Sequence, residues 1–240
     1  MTVQETSQPL TDRQAAIVEL VARNGYVTIE RLAALFDVST QTVRRDIIAL
    51  DQSGRLQRFH GGAGPVGSES ARLDYRAKRE LGLSEKVAVG REAAALISTG
   101  ATLYLDVGTT IETCARELAR RPGFVVFTNS MPAAACFDPG EHQVFVLGGR
   151  MAGRDGSLVG DEVVDRLGDT PLDYAMIGCS AIDDAGRVMD FDLAKIAVKR
   201  AAMRAATTSV LLATRSKFNR SALATIAALD AFDAVVTEPV

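Results

Sequence analysis

Four short polar segments of the chain carry residue types that suit an anionic ligand rich in hydroxyl groups. The segments are DVGTT, TNS, GGR and GCS, and each one follows an apolar run. Gly108 would let the backbone approach an oxyanion, and Thr109 and Thr110 offer hydroxyl and amide groups at a helix start, where the helix dipole favours phosphate. Asp106 would repel phosphate and therefore suits sugar hydroxyls, whereas Arg150 could add a charge-assisted hydrogen bond.

The basic stretch STQTVRRDIIALDQSGRLQRFHGG indicates a second chemistry in a chain whose formal net charge is −3. Arginine pairs with guanine through two hydrogen bonds and glutamine suits adenine, so Arg44 and Arg45 beside Gln41 favour DNA binding. Arg58 and His60 follow in a position where they could hold phosphates. The alternative for the arginines is a solvated, charged helix face, and an ordinary polar role for His60 is an equally good interpretation.

A helix-turn-helix with a wing would position this basic stretch. Three residues that favour the N-cap position precede segments with helical spacing, namely Thr11, Thr28 and Ser39. In the third segment Val43, Ile47 and Leu50 form one apolar stripe, which leaves the arginines on another side. Gly54 marks a turn before the alternating pattern RLQRFH, which is typical of a strand. This order predicts an N-terminal winged helix-turn-helix domain of the α+β class.

The polar segments would be positioned by the edge of a sheet. Six apolar runs have helical segments between several of them: ATLYLDVG, FVVFTNS, QVFVLGGR, DYAMIGCS, SVLLATRS and AVVTE. This alternation predicts an α/β domain whose mostly parallel sheet is covered on both faces. Ligands of such sheets bind at the carboxyl ends of the strands. We therefore expect the polar segments to share one pocket.

Composition also suggests where the domains meet. The segment GGAGPVGSES is rich in glycine, serine and proline, which predicts a linker. We predict a DNA-binding domain over residues 1–64, with its helix-turn-helix at about 32–51, a linker over 65–75, and an effector-binding α/β domain over 76–240.

The composition excludes several other classes of protein. Hydrophobic residues make up 47% of the 240 residues, so a well-buried core is expected. No apolar run approaches bilayer length and the first ten residues lack a signal-peptide pattern, so we expect a cytoplasmic protein, bound to the nucleoid when on its operator, without a membrane partner. The three cysteines show no CxxC spacing, which argues against a zinc site or a disulfide framework. We expect no metal and no cofactor.

Segments from both predicted domains resemble the DeoR family of bacterial transcription regulators. VSTQTVRRD and RFHGGA resemble its DNA-binding domain, and LDVGTT, FTNS, VLGGR, DGSLVG and SKF resemble its effector domain. The resemblance runs from about residue 11 to 238 and is closest to the glycerol-3-phosphate regulon repressor subgroup. It implies a repressor of carbohydrate or polyol genes that a phosphorylated sugar or polyol releases from operator DNA. It also implies an effector domain similar in fold to sugar-phosphate isomerases and CoA transferases.

The resemblance assigns roles residue by residue. The implied DNA contacts are Thr40, Gln41, Thr42, Arg44 and Arg45. The implied effector contacts are Asp106, Gly108, Thr109, Thr110, Asn129, Gly148, Gly149, Arg150 and Lys217. Related repressors carry glutamate where this chain has Lys195 and aspartate where it has Thr214. If these positions face the pocket, Lys195 joins the effector contacts and the ligand preference differs; otherwise Lys195 lies on a solvated helix and Thr214 only packs.

Two other functions compete with this interpretation. A sugar-phosphate isomerase or acyl transferase would share the fold, but the sequence offers no convincing general base or nucleophilic glutamate beyond Asp106 and Asp173 as possible bases. A winged helix that binds only protein is disfavoured by its arginines. Because one short recognition helix reads few bases, we expect a homodimer or homotetramer on DNA. The sequence does not identify the effector or the operator.

Overall fold

The computed structural model describes residues 10–24, 26–59, 61–65, 79–153 and 155–239, and of Phe59 and Pro65 it describes only the backbone. Contacts divide the chain into two compact units, 1–73 with 220–223 and 74–219 with 224–240. Within the described ranges, no helix has both the length and the apolar run needed to cross a lipid bilayer.

Among its described residues, the first unit contains three helices and three short strands. They are α1 (Asp12–Asn24), β1 (Val27–Thr28), α2 (Ile29–Phe36), α3 (Thr40–Gln52), β2 (Leu56–Phe59) and β3 (Gly62–Pro65). The apolar stripes of the helices meet in one core, which includes Ile17, Val21, Leu32, Val43, Ile47 and Leu50. The stripe predicted for the third helix is therefore confirmed as a buried face.

Side chains cap the three helices at the predicted positions. The Thr11 hydroxyl accepts a hydrogen bond from the Gln14 amide at 3.2 Å, and the Gln14 side chain accepts one from the Thr11 amide at 3.1 Å. This reciprocal pair satisfies two amides of the first turn. Thr28 and Ser39 each accept from the amide three residues later, at 3.1 and 3.2 Å. The Ser39 cap therefore determines that α3 begins at Thr40.

The three strands form an antiparallel sheet in the order β1-β3-β2. The structure differs from the predicted linker here, because Gly62–Pro65 of the glycine-rich segment forms the middle strand. A Cβ on Gly62 would lie 2.4 Å from the Val27 carbonyl oxygen, so this glycine serves close strand pairing and not flexibility. The rest of the predicted linker, 66–75, lies outside the described residues, and the domain boundaries stay a prediction.

The second unit is built from helices on both sides of a large sheet. Its helices are α4 (Leu83–Ala95), α5 (Thr109–Leu118), α6 (Met131–Ala134), α7 (Asp161–Gly168) and α8 (Leu193–Ala205). Its strands are β4 (Thr102–Leu105), β5 (Val125–Thr128), β6 (Gln143–Val146), β7 (Arg150–Ala152), β8 (Ser157–Val159), β9 (Leu172–Gly178), β10 (Ala181–Ile182), β11 (Arg187–Asp190), β12 (Ala206–Leu212), β13 (Ala224–Ala228) and β14 (Ala234–Val236). Short 3-10 helices lie at Arg215–Lys217 and Leu229–Ala231.

The six strands predicted from apolar runs lie in one parallel sheet with the order β14-β12-β9-β4-β5-β6. Along the chain, the sheet grows outward from β4 to β6 and then, starting at β9, in the opposite direction. Such a reversal leaves a crevice at the carboxyl ends of the two central strands, where ligands of open α/β sheets bind. The predicted parallel sheet is confirmed, and its order points to the crevice between β4 and β9.

Both faces of the sheet are covered. Leu103 and Leu105 of β4 belong to a buried cluster with α4, α5 and α6, whereas Tyr104 between them belongs to a second cluster with α7 and α8. This alternation is the period of two expected for a strand buried on both faces. A small antiparallel sheet, β10-β11-β13, contributes Val188 and Ile226 to the second cluster. The sequence patterns did not predict this small sheet.

Candidate DNA interface and effector site

The start of α3 presents polar side chains to solvent. Of the five DNA contacts predicted in α3, four are exposed, namely Thr40, Gln41, Arg44 and Arg45. Thr42 is half-buried, and its hydroxyl lies 2.9 Å from that of the N-cap residue Ser39. In helix-turn-helix proteins, the N-terminal residues of the recognition helix reach base edges in the major groove. The geometry of α3 suits that role.

Asp46 fixes α3 to α1. It is only 7% exposed, and its carboxylate accepts hydrogen bonds from Arg13 Nε at 2.6 Å and from Gln14 Nε2 at 3.3 Å. The carboxylate is therefore turned away from the surface that carries Arg44 and Arg45. As a result, it does not oppose the approach of a phosphate backbone to these arginines.

Strands β2 and β3 form the predicted wing, paired from Leu56↔Pro65 to Phe59↔Gly62. The side chain of Arg58 is exposed, and its backbone amide donates to the Asp51 carboxylate at 2.9 Å. This hydrogen bond ties the wing to the last turns of α3. His60, the other predicted wing contact, lies outside the described residues.

Helix α5 starts at the carboxyl end of β4 without a side-chain cap. Gly108 is its N-cap residue at φ 131°, a conformation that favours glycine, and a Cβ there would meet no atom within 4 Å. Thr109 and Thr110 follow as the first two helical residues and are half-buried. The first amides of a helix have no partner inside the helix. The predicted anion site, formed by Gly108, Thr109 and Thr110, therefore has open space beside Gly108.

Asp106, by contrast, belongs to a buried network between the carboxyl ends of β4 and β9. Its carboxylate forms an ion pair with Lys199, and both side chains are 1% exposed. The same carboxylate accepts a hydrogen bond from the Gly178 amide at 3.0 Å. This bond joins β4 to β9, where the direction of sheet growth reverses. Lys199 also donates to the Gly178 carbonyl at 3.0 Å and lies 3.5 Å from Asp190. Burial opposes the charge of Lys199, but the two carboxylates outweigh it and raise the pKa of Lys199.

Asn129 is 1% exposed and is used to hold the hairpin β7–β8. Its side-chain oxygen accepts from the Tyr104 hydroxyl at 2.8 Å, and its side-chain amide donates to the Leu158 carbonyl at 2.8 Å. The Leu158 amide donates back to the Asn129 carbonyl, also at 2.8 Å. The hairpin is therefore attached to the carboxyl end of β5.

Gly148, Gly149 and Arg150 follow the edge strand β6. A Cβ on Gly149 would lie 2.8 Å from the Val159 carbonyl oxygen, so the chain packs closely against β8 at this point. Arg150 is exposed at the start of β7. Within the part of the chain that the structure describes, no hydrogen bond or ion pair joins Arg150 to Asp106.

Lys195, in the first turn of α8, pairs with Asp155 in the turn of the hairpin β7–β8. Their Nζ and Oδ2 atoms are 2.5 Å apart, and the side chains are 14% and 30% exposed. Burial of Asp155 disfavours its ionised form, but Lys195 outweighs this effect and lowers the pKa of Asp155. Lys195 is therefore not a solvated surface cation. Thr214 is 5% exposed, and its hydroxyl lies 2.9 Å from that of Ser216.

Lys217 contributes positive charge near the carboxyl ends of β9 and β12. Burial raises the pKa of the Cys179 thiol to about 12, and the charge of Lys217 acts against this rise. Burial also lowers the pKa of Lys86 on α4, and Lys217 lowers it further. The Lys86 carbonyl accepts from the Thr113 hydroxyl of α5 at 2.8 Å. The Lys86 ammonium itself donates to the Leu81 carbonyl at 2.5 Å, and the charge of Glu112 in the first turn of α5 acts against the lowering of the Lys86 pKa.

Lys199 and Lys86 are buried lysines that were not among the predicted site residues. Lys199 stands three positions after Ile196 and three before Ala202, and both of these residues are buried. A lysine inside an apolar stripe of helical spacing is the signal that could have identified it. Lys86 is 8% exposed and stands three positions before the buried Val89, which is the same signal in a weaker form.

Comparison with known proteins places both units in one family. The DeoR C terminal sensor domain matches residues 82–239, and the DeoR-like helix-turn-helix domain matches residues 13–69. The glycerol-3-phosphate regulon repressor of Escherichia coli (strain K12) is 33% identical over 229 residues, which cover 95% of this chain and 90% of the relative. The glycerol-3-phosphate regulon repressor of Haemophilus influenzae is 35% identical over 212 residues, which cover 88% and 82%.

Among solved structures, eIF2B delta from Chaetomium thermophilum is similar, with a TM-score of 0.50 at 15% identity over 88% of this chain and 76% of that chain. At this identity the similarity shows the fold alone. The family matches extend over both the helix-turn-helix and the six-stranded sheet. The chain belongs to the DeoR family and is a transcription regulator, not an enzyme.

Proposed function

We propose that the protein is a repressor of carbohydrate or polyol metabolism genes that binds operator DNA in the cytoplasm and leaves it when a phosphorylated sugar or polyol binds. The observation that carries the DNA-binding part is the exposed start of α3, where Arg44 and Arg45 face solvent and the neighbouring Asp46 is buried. The relatives named glycerol-3-phosphate regulon repressors support a phosphorylated polyol as the ligand class.

On the operator, the start of α3 reads base edges in the major groove, and Arg58 of the wing contacts the phosphate backbone. One α3 per chain reads too few base pairs for strong specificity, so the protein acts as a homodimer or homotetramer. Two half-sites spaced by about 34–36 Å, or a multiple of this distance, then match the two-fold symmetry of the protein.

The effector binds in the crevice between β4 and β9. Its phosphate lies on the amides and hydroxyls of Thr109 and Thr110 at the start of α5, and the predicted contact Lys217 adds positive charge. Its hydroxyl groups face the polar network of Asp106, Asp190 and Lys199 at the carboxyl ends of β4 and β9. The remaining predicted contacts shape or flank this crevice, namely Asn129, Gly148, Gly149, Arg150 and Lys195.

Release from DNA requires that the effector bind more tightly to the form that does not bind DNA. A tenfold preference for that form corresponds to about 1.4 kcal/mol, and operator DNA must weaken effector binding by the same factor. An effector with equal affinity for both forms would leave DNA binding unchanged, however tightly it bound.

Two linked measurements test the proposal. A panel of sugar phosphates, polyol phosphates and their unphosphorylated forms is screened for an increase in the melting temperature, since a ligand of the native state stabilises it. The best compound is then added to a gel shift with the operator and should lower the fraction of DNA bound. Thr109→Ala should weaken the effector, whereas Thr207→Ala, at an exposed position of β12, should not. If the two variants bound the effector with equal affinity, the start of α5 would not be the phosphate site.

A further inference from the structure

Strand β6 forms one edge of the six-stranded sheet and exposes apolar side chains at that edge. Phe145 is 42% exposed and Val146 is 44% exposed, although Phe145 stacks on Phe127 with a ring distance of 4.7 Å. The strand reads QVFV and contains no charged residue and no proline. Edge strands of monomeric proteins usually carry such residues, which prevent pairing with other chains. Strand β6 lacks this protection.

The outer edge of β6 also offers backbone groups for pairing. The amides of Gln143 and Leu147 donate toward β5, to Phe124 at 3.0 Å and Thr128 at 2.8 Å. Successive residues of a parallel strand direct their backbone groups to opposite sides. Val144 and Val146 therefore direct theirs outward, where no strand among the described residues pairs with them.

We propose that β6 pairs antiparallel with β6 of a second copy of this chain, around a two-fold axis at Phe145. The inference deepens the oligomer part of the proposed function by naming the surface that forms the dimer. In this register Val144 and the partner's Val146 exchange amide-carbonyl hydrogen bonds, and the symmetric pair does the same. Phe145 then stands opposite the partner's Phe145 in a pair without hydrogen bonds, where side chains come closest. The exposed apolar rings are buried against each other.

Charges beside β6 favour a second copy over another protein. Glu162 and Arg166 lie one turn apart on α7, are exposed, and line the groove next to Phe145. Neither side chain has an ion-pair partner among the described residues. A two-fold axis reverses the direction of α7, which sets Arg166 against the partner's Glu162 and Glu162 against the partner's Arg166. A second copy of the chain therefore supplies a partner of opposite charge for both Glu162 and Arg166.

Sedimentation equilibrium of the full chain tests this surface. The wild type should be a dimer or a larger even oligomer, and Phe145→Lys should raise the dissociation constant of the β6 contact by at least 100-fold. Val235→Lys is the matched control, because Val235 is 39% exposed on β14 at the opposite edge of the same sheet. Arg166→Glu should weaken association, and the swap Glu162→Arg with Arg166→Glu should restore it. The two charge variants keep the aromatic stack intact, so they remain informative if Phe145→Lys fails to fold.

A cross-link tests the register independently. In a glutathione redox buffer, Phe145→Cys should form a disulfide-linked dimer on a non-reducing gel, since two cysteines facing each other across the axis are close enough to bond. The wild type, with its three native cysteines, and Val235→Cys should not form it. A monomeric wild type at micromolar concentration would overturn the proposal together with the oligomer part of the proposed function. An oligomer unaffected by both Phe145→Lys and Arg166→Glu would overturn this surface only and leave operator binding as proposed.

Discussion

Lys199 and Asp106 form an ion pair at the carboxyl ends of the two central strands, β4 and β9, and each side chain is only 1% exposed. Asp190 lies 3.5 Å from the Lys199 ammonium, and the carbonyl of Gly178 accepts a hydrogen bond from it at 3.0 Å. A buried ion pair contributes little net stability compared with an apolar pair, but loss of one partner leaves an uncompensated charge. The pair is therefore sensitive to single substitutions.

We expect Lys199→Met to lower the free energy of unfolding by about 3–5 kcal/mol, because Asp106 is left buried without its cation. The double variant Lys199→Met with Asp106→Asn should recover part of this loss. Urea denaturation measures both, and Arg204→Met, at an exposed position of the same helix, should change stability by less than about 0.5 kcal/mol. A single variant that is as stable as the wild type would contradict the buried pair.

The pair Lys195–Asp155 should show energetic coupling in a double-mutant cycle. Lys195→Met and Asp155→Asn remove the same 2.5 Å contact, so their effects on the free energy of unfolding should not add. We expect a coupling of about 0.5–3 kcal/mol, measured by urea denaturation of the two single variants and the double variant. Additive effects would show that the contact is not formed in solution.

The same pair predicts a pH dependence. Lys195 lowers the pKa of Asp155 in the folded chain below its ordinary value. A carboxylate of this kind contributes stability above its unfolded pKa, and the contribution is lost as the pH falls through the folded pKa, from about pH 5 downward. The stability difference between wild type and Lys195→Met should therefore shrink over that range. A difference that stays constant down to pH 2, or grows, would contradict the assignment.

Operator binding should depend on the arginines of α3. Arg44→Ala or Arg45→Ala should cost about 1–3 kcal/mol of binding free energy if that arginine reads a base, and the loss should be specific to the operator. A phosphate contact would instead weaken all DNA alike and reduce the salt dependence of binding. Fluorescence anisotropy at two salt concentrations separates these cases. Arg23→Ala, with a side chain 72% exposed on α1, serves as the control, and an unchanged affinity in the Arg44/Arg45 double variant would exclude α3 as the recognition helix.

His142 is a buried polar residue that the chain should tolerate losing. It is 4% exposed, and neither ring nitrogen has a hydrogen-bond partner among the described residues. Its ring lies parallel to Phe124 at 6.0 Å and edge-on to Phe137 at 5.0 Å. Because a buried polar group without a partner is costly, His142→Phe should leave the free energy of unfolding unchanged or raise it by up to about 1 kcal/mol. A thermal melt that shows a clear loss would mean that ordered water satisfies the ring.

The elements of this fold were predictable wherever a local pattern determines them. Thr28 and Ser39 cap their helices because hydroxyl side chains satisfy the first amides, and apolar runs such as LYL become strands because both faces of the sheet are covered. The roles of Asp106 and Asn129 were not predictable in the same way. Their partners, Lys199 and Leu158, are 93 and 29 residues away, and no local pattern encodes such pairs.

Strands β4 and β9 are neighbours in the sheet although they are distant in the chain, as shown by the Thr102 amide and Asp173, which bond across 71 residues. Within each half of the sheet, β4-β5-β6 and β9-β12-β14, successive strands are separated by shorter stretches of chain. Pairing within a half therefore closes shorter loops than pairing β4 with β9. Because joining the halves closes a longer loop, we expect it to be the slow step of assembly. We accordingly expect the carboxyl ends of β4 and β9 to come together late in folding. A ligand that contacts both β4 and β9 can bind only after the two strands have paired. We therefore expect the ligand to slow unfolding while leaving the folding rate nearly unchanged.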